Sequence, residues 1–130
     1  MRFVGILLVL VATVALVSQA LAKEGVAARL ENPSALHAPS GTRVMLAWTL
    51  RAGKQPFGAS GVYVRLRGRS GITTTARASD LGKPGRYRAH VLIPRGGVRS
   101  IIIGLIGWTS GPHGTKRADM FFPITNDPTR

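Results

Sequence analysis

Arginine is the residue type with the most chemical capacity in this sequence. Arg65, Arg67 and Arg69 recur at every second position, and Arg77 follows in the next β-type run beside Thr73 and Thr75. Alternate side chains on a strand share a face, so Tyr63, Arg65, Arg67, Arg69 and Arg77 make an arginine stripe with an aromatic at its edge. Guanidinium groups arranged in this way suit two-pronged contacts with phosphate or carboxylate. Arg86, Arg88 and His90 form a second outward group. The same charges also have a plainer use, because cations along a strand edge block strand-to-strand aggregation.

The composition agrees in sign, with 18 basic residues against 5 acidic ones and a net charge of +13. Such a charge favours anionic partners, and the partner expected is an anionic cell-envelope component or an acidic protein. Groups for catalysis are sparse. The acids are Glu24, Glu31, Asp80, Asp119 and Asp127, no two of them close in sequence, so no carboxylate pair for acid–base work is indicated. His37, His90, His113 and several serines are present, but no G-x-S-x-G elbow and no glycine-rich phosphate loop leads into a helix. There is no cysteine, which excludes disulfides, iron–sulfur clusters and cysteine–zinc sites. The chain is expected to act without catalysis and without a cofactor.

The elements that must position these groups are β-strands. Beyond residue 22 the chain reads as short runs of period two, over Val26–Glu31, Thr42–Arg51, Val62–Arg67, Ile72–Ser79, Arg86–Ile93, Val98–Ile106 and Arg117–Ile124. Val44, Leu46, Trp48 and Leu50 alternate with Met45, Ala47, Thr49 and Arg51; Val62, Val64 and Leu66 alternate with Tyr63, Arg65 and Arg67. One apolar and one charged face per strand is the pattern of half-buried antiparallel sheets. Asn32-Pro33, Arg69-Ser70-Gly71, Lys83-Pro84-Gly85 and Pro94-Arg95-Gly96-Gly97 supply the turns. About seven short strands in one small domain predict an all-β, immunoglobulin-like antiparallel β-sandwich. Runs one, two and five are expected in one sheet and runs three, four, six and seven in the other. The expected core is Val44, Leu46, Trp48, Leu50, Val62, Val64, Leu66, Tyr87, Val91, Ile93, Ile102 and Phe122. Ser100–Ile106 is apolar on both faces, as a covered central strand would be, or as an exposed patch for a partner or a membrane surface would be. The Gly107–Lys116 segment, with Trp108 and His113, is expected as the loop that covers or recognises.

Gly85-Arg86-Tyr87-Arg88-Ala89-His90-Val91, followed by Ile93-Pro94-Arg95-Gly96-Gly97, resembles the G-x-Y-x-A-x-V…P-x-G-G segment of YtkA-like and FixH-like extracytoplasmic domains. The Gly41-Thr42-Arg43-Val44 lead into an alternating strand is similar as well. The resemblance implies an immunoglobulin-like sandwich outside the cytoplasm, in a group of which some are related by fold to periplasmic copper-resistance proteins. It therefore raises an alternative, a periplasmic copper or metal carrier using His37, Met45 and His90. Arg86 and Arg88 flank His90 and repel a cation, no H-x-H or M-x-x-M cluster exists, and Lys23 stands where copper-resistance relatives begin with a chelating histidine. No metal site is the primary expectation.

The N-terminus carries the location. Arg2 is followed by an uncharged apolar run from Phe3 to Val17 and by Ser18-Gln19-Ala20-Leu21-Ala22, with small residues at the two positions that signal peptidase reads. The run is shorter than the roughly 20 apolar residues of a spanning helix. Residues 1–22 are thus expected to be a helical signal peptide, and residues 23–130 one domain in the periplasm or secreted. If the segment stays uncut, it associates the protein with a membrane. Export makes nucleic acid a poor partner, and none is expected.

Overall fold

Residues 25–130 are described in the computed structural model of the chain; the expected signal peptide and its cleavage site lie outside the described residues. The alternating runs form strands β1 (Val26–Leu30), β2 (Arg43–Ala52), β3 (Gln55–Pro56), β4 (Val62–Gly68), β5 (Thr73–Arg77), β6 (Ser79–Asp80), β7 (Arg86–Leu92), β8 (Val98–Leu105), β9 (Trp108–Gly111), β10 (Gly114–Arg117) and β11 (Met120–Phe122), with one 3-10 turn at Pro33–His37. One sheet has the order β1-β2-β7-β6, with β3 beside β2; the other has β11-β8-β4-β5; β9 and β10 make a separate hairpin. All strand pairs are antiparallel. This is the all-β sandwich expected, in the A-B-E-D against G-F-C-C′ order of immunoglobulin-like domains, and the runs divide between the sheets as predicted. No helix of the described residues is long and apolar enough to cross a membrane.

Two runs differ from expectation. The fourth splits at Ala78, because the chain there leaves β5 in one sheet and enters β6 in the other. The segment expected as a loop, Gly107–Lys116, is instead mostly the β9–β10 hairpin. Trp108 pairs with Arg117 in the same register that pairs Leu105 with Met120, so the hairpin continues β8 and β11 past the end of the sandwich. All its residues are exposed, and with neither face packed its sequence needs no alternation.

The core lies between the sheets. Leu46, Trp48, Leu50, Val62, Val64, Leu66, Tyr87, Val91, Ile93 and Phe122 are buried as expected, and Val44 is half-buried against them. Trp48 stacks on its cross-strand partner Tyr87 with ring centroids 6.1 Å apart. Its indole Nε1 meets no protein acceptor, so packing alone holds it. Tyr87 turns its hydroxyl outward, donating to Phe57 O at 2.9 Å and accepting from Ala59 N at 2.8 Å, which pins the connection between β3 and β4. Ile102 is a correction. Val64 pairs with Ile103 and Arg65 with Ile102, so Ile101 and Ile103 face the core while Ile102 points out with Arg65 and is 37% exposed. A run apolar on both sides has no phase of its own; pairing with β4 imposes one.

The free edges are closed by side-chain amides. The C-terminal segment leaves β11 and runs parallel along β1, with Ala28 N donating to Pro123 O at 2.8 Å and Thr125 N donating to Ala28 O at 2.9 Å. Asn126 extends the ladder with its side chain, accepting from Leu30 N and donating to Leu30 O, both at 2.8 Å. Asn32 does the same for β2, accepting from Ala47 N at 2.9 Å and donating to Met45 O at 2.8 Å. A carboxamide presents one donor and one acceptor much as a peptide group does, so each Asn replaces a missing strand. Asn126→Ala leaves both Leu30 groups unpaired and is expected to cost about 1–3 kcal/mol. Urea unfolding followed by tryptophan fluorescence measures it, and an unchanged midpoint would show that water serves this edge as well.

Candidate functional site

Two arginine groups that the sequence places on opposite sheets meet at one seam. β5 is an edge of its sheet, and β7 is flanked on that side only by the two residues of β6. The edges approach closely enough for the Thr74 hydroxyl to donate to Leu92 O at 2.6 Å. Over this seam runs a groove of about 580 Å³ whose cationic walls are Arg77 from β5, Arg88 from β7 and Arg43 from β2, with His90 between them and hydroxyls from Thr74, Thr75 and Ser79. No carboxylate lines it. Of the two expected groups, Arg77, Arg88 and His90 come together here, and Arg69 goes elsewhere, into the turn after β4 that packs on the Pro94–Gly97 turn through Arg69 N to Gly97 O at 3.1 Å. Arg43 was absent from both expected groups. Its parity with Met45 and Ala47 carried the signal, since it extends their outward row by one position.

The remaining acids explain why the groove stays cationic. Glu31 grips Arg86 with two bonds, Arg86 Nε to Oε1 at 2.9 Å and Nη2 to Oε2 at 3.0 Å, and this hydrogen bonding lowers the Glu31 carboxyl below its ordinary value. Arg86 is therefore withdrawn from the second basic group. Asp80 accepts from Gly82 N at 3.1 Å, and Asp127 accepts from Thr129 N at 2.8 Å and its hydroxyl at 2.6 Å. Among the described residues only Arg86 and Arg117 form ion pairs.

Tyr63 is the largest departure from the expected site. It stands on the outward side of β4 in phase with Arg65 and Arg67, yet it is buried. Its cross-strand neighbour on β8 is Gly104, and a Cβ there would sit 2.4 Å from the Tyr63 ring. Glycine thus gives the ring a bed. Asp119 closes it from the other side, accepting from the Tyr63 hydroxyl at 2.6 Å and from Arg117 at 2.8 and 2.9 Å. Arg65 lies over the ring at 5.3 Å from its centroid, a cation–π contact, and reaches Thr75 Oγ1 at 3.4 Å. Tyr63 therefore positions Arg65 and is covered by it. Burial, then the bond to Asp119, raises the Tyr63 phenol, and the bonds from Arg117 and Tyr63 hold the Asp119 carboxyl far below its ordinary range. Arg67 is exposed, opposite Thr73.

Of the soft ligands, Met45 and His90 are direct cross-strand partners, while His37 ends the 3-10 turn and is exposed. Arg43 and Arg88 join His90 at the same groove. Among the described residues no three His, Cys, Asp or Glu side chains are grouped to hold a metal ion.

No protein-family model matches the sequence, and no curated protein matches it. Among solved structures, a DUF4785 family protein from Legionella pneumophila is similar at 14% identity and a TM-score of 0.42, over 75% of this chain and 27% of that one. The chain thus spans about a quarter of the length of that protein.

The Asp119 latch has a pH signature. Its folded pKa lies below its ordinary value of 3.8, so its contribution to stability is fully present above that value and fades as pH falls below it. Asp119→Asn is expected to be less stable than the parent at pH 7 and to lose less on acidification from pH 4 to pH 2. Thermal unfolding at the two pH values checks this; parallel losses in both proteins would remove Asp119 from the acid response.

Proposed function

We propose that this chain is an extracytoplasmic, non-enzymatic binding module that holds an anionic envelope component in the groove between β5 and β7. The observation that carries the reading is the convergence of Arg43, Arg77 and Arg88 on a groove without a carboxylate. Like charges held together repel, and a stability cost of that kind is retained where an anion relieves it. Guanidinium groups take phosphate or carboxylate oxygens in pairs, and the Thr75 and Ser79 hydroxyls offer further donors. Thr74 is already committed to Leu92 O. The signal-like N-terminus and the resemblance to YtkA-like and FixH-like domains support the location. An acidic protein segment offers the same carboxylate chemistry as an envelope polymer.

The test uses polyphosphate and poly-L-glutamate as probes. The triple variant Arg43→Gln, Arg77→Gln, Arg88→Gln is expected to bind them at least about tenfold more weakly at 0.15 M salt, where charges are screened beyond about 8 Å. The double variant Glu31→Gln, Arg86→Gln, which removes a pair of no net charge, is expected to stay within about twofold of the parent. Equal binding by the triple variant would overturn the groove as the site.

A second reading, a periplasmic copper carrier, is favoured by the direct pairing of Met45 with His90. Cu(I) titration by calorimetry decides it: binding tighter than about 10 μM that is lost in Met45→Leu supports it, and no heat removes it.

A further inference from the structure

Trp108 and Phe121, 64% and 55% exposed, are the most open of the large apolar side chains on the described residues. Phe121 belongs to the outer face of the β11-β8-β4-β5 sheet, and Trp108 to the β9–β10 hairpin that continues it. Phe121 pairs with Gly104, whose other neighbour is Tyr63, and Ile102 pairs with Arg65 on the next outward row. Trp108 pairs with Arg117, whose side chain bonds Asp119 on the Tyr63 side; cross-strand partners share a face, so Trp108 is on this face too. Three apolar side chains are thus presented among Arg65, Arg67 and Arg77. The β9–β10 hairpin has no acid; its Lys116, paired with Thr109, belongs to the opposite face from Trp108. Of the carboxylates near this face, Asp119 is consumed by Arg117, Tyr63 and Gly107 N, and Asp127, which lines a groove with Ile102, Phe121 and Arg130, is taken up by Thr129.

We propose that this face docks on an anionic bilayer surface, with Trp108 and Phe121 at headgroup level and the surrounding arginines on lipid phosphates. Charge argues for this occupant and against a second copy, which would bring the same cations face to face. Spacing argues against a folded protein partner. Trp108 and Ile102 are six residues apart, roughly 20 Å at 3.3 Å per residue, across the break between β8 and β9, with the Asp119–Arg117 pair at Gly107 between them, whereas a protein interface centres on a contiguous dry patch. A wholly polar polyanion would leave Trp108, Phe121 and Ile102 as open to water as before. A bilayer interface takes separated aromatic side chains at headgroup depth, lets arginine stems lie along it while their heads stay wet, and attracts each nearby cation. The proposal uses a different face from the groove, with Arg77 at their common border, and its apolar contacts do not depend on what the groove binds.

Tryptophan emission tests it directly in the full chain, because Trp48 is fully buried and Trp108 open. The protein is titrated with vesicles of phosphatidylglycerol and phosphatidylcholine at 3:7, and with phosphatidylcholine alone. The expected result is a blue shift of the Trp108 component and its quenching by brominated lipid with the anionic vesicles, reduced several-fold by 0.5 M salt. Trp108→Ser is expected to partition at least about fivefold more weakly while its remaining Trp48 emission stays constant, which also shows that it folds. An equal response to neutral vesicles would overturn the proposal, as would equal partitioning of Trp108→Ser. Co-sedimentation without any change at Trp108 would overturn it too, since residues 1–22 alone could then account for attachment. Loss of polyphosphate binding in the double variant Arg43→Gln, Arg88→Gln, which keeps Arg77 on the docking face, reports on the groove and leaves this result untouched.

Discussion

The burial of one apolar face from each of β2, β4 and β7 is the constraint on which the molecule depends. Leu46, Trp48 and Leu50 meet Val62, Val64 and Leu66 across the interior, with Tyr87, Ala89 and Val91 beside them. With no cysteine available, this packing must offset the chain entropy that small exported domains often offset with disulfides. Because a strand has period two, fixing these faces also fixes every outward residue. Arg65 must then stand beside Ile102, Arg88 beside Ser79 and Met45 beside His90. The phase is reinforced where main chain is lacking, by Asn32 and Asn126 at the edges and by Thr74 at the seam.

Charge is distributed by the same constraint. Among the described residues no charged side chain is buried, so their basic excess spreads over the outside, where the few acids are spent on local structure. Asp119 and Glu31 hold arginines against the body; Asp80 and Asp127 cap turns. Two of the regions left uncompensated are different in kind. The seam groove is polar and cationic. The outer face of the β4 sheet mixes cations with Trp108, Phe121 and Ile102. Under the functions proposed above, the two regions share only the side chain of Arg77.

Sequence patterning identified the sandwich, its division into sheets and the core contributed by β2, β4 and most of β7, since those follow from local alternation; Val26, Ala28, Leu30, Leu36, Ile101 and Ile103 were not in the expected core. What escaped it depended on distant residues. Tyr63 has the same phase as Arg65, and only the glycine opposite it and a carboxylate 56 positions away decide that it is buried. Arg86 looked as free as Arg88 because Glu31, its partner, lies 55 positions earlier. The groove was invisible because it forms where edges of two sheets meet, and sequence assigns residues to faces more readily than it assigns edges to each other. Ile102 was misplaced because its own run carries no phase. In each case the missing information was a pairing across the fold rather than a property of the residue.

Backbone amide chemical-shift mapping, with inorganic phosphate added to the isotopically labelled protein, tests the anion-binding groove most directly. The account predicts saturable shifts concentrated at Thr74–Arg77 and Arg88–His90, with Arg43 included and the turns around Arg69 and Arg95 unaffected. Shifts spread evenly over the arginines, or centred on those turns, would contradict it.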